Sequence, residues 1–435
     1  MGDVVKPYLR AVMHRVQSWA VGDEPPPPKT DDAMKFGILG TDPVIQTALI
    51  GAARRQPDVI VVAVASHDSR EAAKFRDKNA LIDDPNIDAV YIALSPHLRY
   101  EWALRALAVG KHVLLETPCA ANEADARRLF ESPLVRYAGA PMLLESTPFR
   151  FHPSWADLER WIDRDQIIHV SITVTMPTRR SRLKDLRFRH EESSGAGLDM
   201  GYAMTLLRSI YGKDPLSCNG DFEYSAAWQF PNGAVGVIRG RTSPGMHPFP
   251  TSGGVVVKIQ HRLAAVDDDT TDSDVSLNVT PGQQLSRRRK VKLTSTASAP
   301  ALHRFRIRDR YWLHDATSAE TVRTFERRRS FLSEVPVERF KPWTPPMFQL
   351  DAFVKRARGN AAASAPWVRG PESVGHLKML GQARHAAGLP ALEGSPFAEV
   401  QARDGALMWG KVYMLQGGVP AYTQFDIWAA HHEYG

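Results

Sequence analysis

The chain has 435 residues, 24% charged and 43% hydrophobic. That balance excludes a disordered, collagen-like or coiled-coil protein, and at roughly 150 residues per domain it predicts two or three domains. Lys and Arg number 55 against 48 Asp and Glu, a net charge of +7, which permits anionic ligands and demands no nucleic-acid partner. No run approaches the roughly 18 apolar residues of a membrane span. The only cysteines are Cys119 and Cys218, too few for a disulfide framework or a cysteine-rich zinc module.

In chain order, Met1 to Ala20 lacks the apolar core of a secretory signal. Val4, Leu9, Val12, Val16 and Trp19 recur at helical spacing among Lys6, Arg10 and Arg15. This predicts an amphipathic helix docked on the body, with a mitochondrial transit peptide as the alternative to a cytoplasmic protein. Pro25 to Pro28 form a stiff linker, so residues 1–33 read as an extension. Met34 to Gly40 is a short strand running into glycine, followed by helix signals through Ala53. Val59 to Ala65, Asp88 to Leu94, Lys111 to Glu116 and Pro141 to Glu145 read as further buried strands. Glu101 to Val109 and Asn122 to Phe130 read as helices between them. Strand and helix in alternation predict a doubly wound α/β domain over 34–150. Beyond Trp161 the period changes. Ile167 to Thr175 alternates, Phe222 to Gly240 reads as a hairpin around Pro231-Asn-Gly233, and Gly253 to Ala265 is another strand. A mostly antiparallel sheet with flanking helices, at Phe348 to Arg358 and Ser373 to Ala387, is expected over 151–393, with a packed tail over 394–435. The acidic run Asp267 to Asp274 and the basic run Arg287 to Lys292 read as solvated surface.

Several motifs in this order resemble the Gfo/Idh/MocA oxidoreductases, nearest to the dihydrodiol dehydrogenase and NADP-dependent D-xylose dehydrogenase branch. They are Gly37-Ile-Leu-Gly-Thr41, Asp88 to Leu94, Glu101 to Leu107, Gly110 to Pro118, Glu145 with Phe149 to Pro153, Leu186-Arg-Phe188 and Gly197-Leu-Asp-Met-Gly201. The resemblance implies a Rossmann domain and an open-faced sheet domain, and NAD(P)-dependent chemistry on sugars or diols. It also implies a homodimer through the open sheet face.

Laid on the family pattern, the dinucleotide cradle starts at Gly40 and Thr41, but its second glycine falls on Asp42. A carboxylate there either repels the diphosphate or caps the helix. His67 stands where relatives place the arginine for the 2′-phosphate. The family's Glu-Lys-Pro reads Glu116-Thr117-Pro118, and its acid-base Tyr or His falls on Ala203, with Tyr202 one place early. Cradle, lysine and tyrosine depart together. The sequence therefore predicts a non-redox isomerase, lyase or cyclase acting on a small molecule, with no cofactor and no metal. The alternatives are an NADP(H)-dependent oxidoreductase with an atypical site, holding the cofactor through Gly40, Thr41, His67 and Glu116, and a non-catalytic binding protein. Asp199, His152, Tyr202, Glu116 and His97 are the candidate acid-base residues.

Overall fold

A computed structural model describes residues 26–42, 44–65, 78–178, 196–220, 225–244, 254–266, 282–296, 299–315, 317–333, 337–338, 341–360 and 367–398. The amphipathic helix expected before Pro25, the acidic run and the tail beyond residue 398 lie outside them. Among the described residues no helix is long and apolar enough to cross a membrane.

The first sheet has order β2-β1-β3-β4-β5, all parallel: β1 (Met34–Leu39), β2 (Val59–Ala65), β3 (Ala89–Ile92), β4 (His112–Leu115) and β5 (Leu143–Glu145). Val, Ile, Leu and Ala dominate these strands because helices cover both faces. After β1 a π-helical turn, Gln46–Ile50, runs into α1 (Gly51–Arg54). The other crossovers carry α2 (Lys78–Asp83), α3 (Pro96–Ala108) and α4 (Glu123–Glu131). α3 begins five residues before the expected Glu101. Pro96 stands at its first position, where a missing N–H costs nothing. The proline run is no free spacer, since Lys29 Nζ donates to the Gln56 carbonyl at 2.7 Å beyond the end of α1.

α5 (Pro153–Trp161) leads to the second sheet, which has nine strands in the order β14-β13-β12-β10-β6-β9-β8-β7, with β11 (Ala264–Ala265) beside β12. Its strands are β6 (Ile167–Thr178), β7 (Ser217–Gly220), β8 (Ser225–Gln229), β9 (Val235–Pro244), β10 (Gly254–His261), β12 (Gln283–Thr296), β13 (Ala299–Asp315) and β14 (Thr321–Leu332). Every pairing is antiparallel except β6 with β9. The expected hairpin is β8–β9, turning at Gly233 with φ +74°. α6 (Ala196–Tyr211) lies on one face of this sheet. Gly236 allows the contact, because a Cβ there would stand 2.8 Å from both Leu207 methyls. β15 (Val337–Glu338) pairs with β16 (Lys341–Pro342).

The two halves share their packing. α7 (Pro345–Ala357), sequentially part of the second domain, returns to the first, where Met347, Leu350 and Phe353 are buried with Phe36, Leu49 and Tyr91. α8 (Gly370–Ala386) buries Leu377, Met379 and Leu380 in the cluster that runs from Leu115 through Leu207 to Trp228 and Phe305. Each such side chain removed from water contributes about 1.5–3 kcal/mol. A groove of about 680 Å³, lined in part by Phe130, Met142 and Trp367, opens at the amino end of β5. The strand ends that matter for ligands are the opposite, carboxyl ends.

Candidate active site

In the first sheet β1 lies between β2 and β3, so the connections leaving these strands reverse direction there. In an open α/β sheet this switch point leaves a crevice outside the carboxyl ends of the strands. Gly40 closes β1 at that crevice with φ +106°. A Cβ on it would stand 2.5 Å from the Ala93 carbonyl oxygen. Only glycine lets the turn lie this flat against the end of β3. Thr41 and Asp42 are exposed at the mouth of the turn.

Asp42 is a cap. Its Oδ1 accepts the Val44 N–H at 2.8 Å and its carbonyl accepts the Ile45 N–H at 3.0 Å. The backbone therefore has the shape of a dinucleotide turn, while the charge and one occupied N–H depart from it. A positive charge stands close by to offset the carboxylate. Arg99, buried on α3, donates through Nε to Leu94 O at 2.7 Å and through Nη1 to Glu116 O at 2.9 Å, which ties the ends of β3 and β4 together. Asp42 and Glu116 both act on its charge.

Glu116 ends β4. Burial raises its pKa above the ordinary carboxylate value, and Asp42 adds to the rise. The Tyr91 hydroxyl, which donates to Glu116 Oε2, and the Arg99 charge pull it partly back. Tyr91 is itself fully buried in β3, and burial first, then the Glu116 charge, raises its own pKa well above the ordinary value. The hydrogen bond couples the two groups at the carboxyl ends of β3 and β4. The Thr117–Pro118 bond is cis, and Thr117 Oγ1 donates to Ser146 O at 2.7 Å. Behind it, buried Glu145 accepts the Cys119 N–H at 3.0 Å, and His376 Nδ1 of α8 stands 3.5 Å from the same Oε1. A Cβ on Gly201 of α6 would lie 3.5 Å from His376 Nε2 and 3.7 Å from Thr117 Cγ2, so α6, α8 and the end of β4 converge on one point. Gln349 pins the next loop, accepting the Thr147 N–H at 2.7 Å and donating to Ser146 Oγ at 3.1 Å.

The expected site residues separate. Gly40, Thr41 and Glu116 meet at the crevice. His97 is exposed on the first turn of α3. Tyr202 is 36% exposed and meets the Phe149 ring edge-on at 5.1 Å, while Ala203, at the family's acid-base position, is fully buried. His152 caps α5, its Nδ1 accepting the Ser154 N–H at 3.2 Å, and packs against His303 and Phe348, so the structure does not bring it to Glu116. Asp199 lies in α6 with its side chain outside the described residues, as His67 and Leu186 to Phe188 are entirely. Arg150 pairs with Glu372 at 2.9 Å and Ser209 at 3.0 Å, and not with Glu145. Tyr91 and His376 were not foreseen. A tyrosine inside a four-residue buried strand was a usable signal for the first. His376, 231 positions from Glu145, carried none.

Strand order, glycine turn and crevice define a two-domain protein with a Rossmann dinucleotide fold joined to an open-faced sheet. Residues 34–133 match the model of an oxidoreductase family with an NAD-binding Rossmann fold, GFO_IDH_MocA. It is 32% identical over 199 residues to dTDP-3,4-didehydro-2,6-dideoxy-alpha-D-glucose 3-reductase of Streptomyces violaceoruber, covering 43% of this chain and 57% of that protein. It is 28% identical over 223 residues to D-xylose 1-dehydrogenase (NADP(+)) 2 of Haloferax volcanii, covering 46% and 67%. The chain thus spans a little over half the length of the first of these relatives. Among solved structures, a 3-ketoreductase from Actinomadura kijaniata in complex with NADP and TDP-benzene shares the fold at 18% identity and TM-score 0.54, covering 81% and 98% of the two chains. A dehydrogenase from Bordetella pertussis in complex with NADH and UDP-GlcNAcA does so at 15% and 0.52, covering 82% and 97%.

These findings correct two expectations. The non-redox isomerase, lyase or cyclase is overturned, since the matched family and the relatives named above are oxidoreductases. The expected lack of a cofactor is overturned too. The family binds NAD, and the similar structures hold NADP or NADH. The three departures are departures of residue identity. The backbone around Gly40 keeps the shape that the letters obscure.

Proposed function

We propose that the protein is an NAD(P)-dependent oxidoreductase that interconverts a hydroxyl and a ketone on a sugar, carried free or linked to a nucleoside diphosphate. The observation that carries this reading is the crevice at the switch point, where the glycine turn of β1 lies flat against the end of β3 and Tyr91 of that strand donates to Glu116. A nicotinamide, if bound there, would supply or accept the hydride. Gly40 and the open turn at Thr41 and Asp42 give the diphosphate its seat, and Arg99 offsets the nearby carboxylates. Glu116, whose pKa burial raises, is the group that would give its proton to the ketone oxygen in reduction and take it back in oxidation. Thr117, bonded to the Ser146 carbonyl, leaves that role to its neighbour. The free thiols Cys119 and Cys218 support a reducing compartment such as the cytoplasm.

The test follows NADPH oxidation with dTDP- and UDP-linked keto sugars, and NADP+ reduction with D-xylose. Glu116→Gln keeps the acceptor for Tyr91 and should bind NADPH within a few-fold of wild type while kcat falls by about 10²–10⁴. Failure of the wild-type chain to bind either NADPH or NADH overturns the reading, as does full turnover by the variant.

A further inference from the structure

The turn Glu116-Thr117-Pro118-Cys119, which carries the proposed acid, is gripped from two sides. Arg99 Nη1 donates to the carbonyls of Glu116 and Pro118. Glu145 Oε1 accepts the Cys119 N–H at 3.0 Å. Arg99 is well supplied with partners, since its Nε also donates to Leu94 O. Glu145 is not. It is 1% exposed, and its Oε2 makes no hydrogen bond among the described residues. The side chain that reaches it is His376 of α8, with Nδ1 3.5 Å from Oε1. His376 is itself fully buried, and neither of its ring nitrogens makes a hydrogen bond among the described residues. Buried polar groups are seldom left so, and here Oε2, Nδ1 and Nε2 stand together directly behind one turn. Glycines on two helices bring them there. A Cβ on Gly375, beside His376, would overlap Arg208 Nε of α6 and stand 2.5 Å from Asp214 Oδ1. Gly201 of α6 fits between His376 Nε2 and Thr117 Cγ2.

We propose that His376 is a positioning residue for the reaction. Acting through Glu145, it fixes the turn and so aims Glu116. The inference rests on the proposed redox reading of the crevice. A proton on Nδ1 gives the carboxylate a donor, whether the ring is neutral or charged. At 3.5 Å the contact is longer than a good hydrogen bond, and contacts of this kind tighten when a ligand draws the elements around a site together. Glu145 ends β5 in the first domain, and His376 lies on α8 beyond the second sheet, so the pair ties the two halves of the chain at this turn. Without the imidazole, the buried carboxylate must bind a proton or admit water. Either change loosens its hold on the Cys119 N–H, three residues from Glu116. Misplacing a reacting group by about 1 Å can cost on the order of 10²-fold in rate. Thr117 gives no substitute, because its hydroxyl is committed to the Ser146 carbonyl. The Gly40 turn packs on the end of β3 and makes no use of the pair, so cofactor binding is spared.

The test compares two variants of the full chain. His376→Phe keeps a flat ring without donors, and His376→Asn sets an amide nitrogen near the place of Nδ1. In NADPH-driven reduction of a keto sugar, His376→Phe should lower kcat by about 10–100-fold. KM and the NADPH Kd should stay within about threefold of wild type. His376→Asn should recover most of the rate. Glu145→Gln should slow the reaction too, and combined with His376→Phe it should be no slower than the slower single variant, because the two act along one line. Exchange of the Cys119 N–H, followed by hydrogen–deuterium mass spectrometry on overlapping peptides, should quicken in His376→Phe and slow again in His376→Asn. This readout needs no turnover. A wild-type chain inert toward every sugar, with exchange at Cys119 responding as described, counts against the proposed function and for the grip of His376 on the turn. Unchanged exchange at Cys119 overturns the inference, and so does wild-type kcat in His376→Phe. Additive losses in the double variant overturn it as well. A loss of rate that asparagine does not restore, or one matched by an equal loss of NADPH affinity, marks a merely structural side chain and overturns it too. Should His376→Phe fail to fold, Glu145→Gln carries the same kcat and exchange measurements.

Discussion

Gly40→Ala tests the turn on which the cofactor site depends. The alanine Cβ would stand 2.5 Å from the Ala93 carbonyl oxygen, where real Cβ atoms essentially never come within 3.0 Å, and it would hold φ near +106°. The conformation costs about 1–3 kcal/mol for a residue other than glycine. The clash is with backbone, so rotamer change gives no relief. The end of β3 must move, and with it the Leu94 carbonyl that anchors Arg99 at 2.7 Å. The diphosphate seat is thereby displaced while the buried strands behind it stay packed. NADPH affinity, measured by fluorescence titration, should fall by tenfold or more, at 1.4 kcal/mol per decade. The melting temperature should fall by only a few degrees. Wild-type affinity in Gly40→Ala would refute the reasoning, because it would separate the glycine from the ligand.

Three further outcomes follow from particular contacts. Asp42→Asn keeps the oxygen that caps Val44 and removes the charge. With about 1–4 kcal/mol at stake for unit charges 4 Å apart, NADPH should bind several-fold more tightly at low salt, and an unchanged affinity would show that the carboxylate does not face the diphosphate. His303 is held at a pKa of about 3, against an ordinary 6.5, by burial first and by the facing His152 second. The unfolded chain takes up this proton below 6.5 and the folded one does not, so the stability present above 6.5 is lost as pH falls toward 3. His303→Phe should flatten that decline in urea-unfolding profiles, and an identical profile would refute the assignment. Arg289 donates to both oxygens of buried Asp309, at 2.7 and 2.9 Å. Arg289→Met strands the carboxylate and should cost about 3–5 kcal/mol by denaturation. Adding Asp309→Leu should recover most of it, and no recovery would show that the loss lies elsewhere.

The sequence by itself determined the first domain. Its strands are short, buried on both faces and uniformly apolar, so local composition carries them. Gly40, Glu116 and the order of motifs were legible for the same reason, since each sits where a strand ends. The pieces of the second sheet were legible only where alternation or a turn dipeptide marked them, as at Ile167 to Thr175 and Pro231-Asn-Gly233. β13 places arginine at 304, 306, 308 and 310, against Phe305, Ile307, Asp309 and Tyr311 between and after them, an alternation that reads as surface until the strand is paired. Tertiary structure alone decided the rest. It set His376 beside Glu145, turned α7 back onto the first domain, gave Tyr91 to Glu116, took His152 away from the crevice, and lined up cations of four strands. These are relations between residues up to some 300 positions apart. No local rule of propensity or spacing reaches them, because they are fixed by which faces must be buried together.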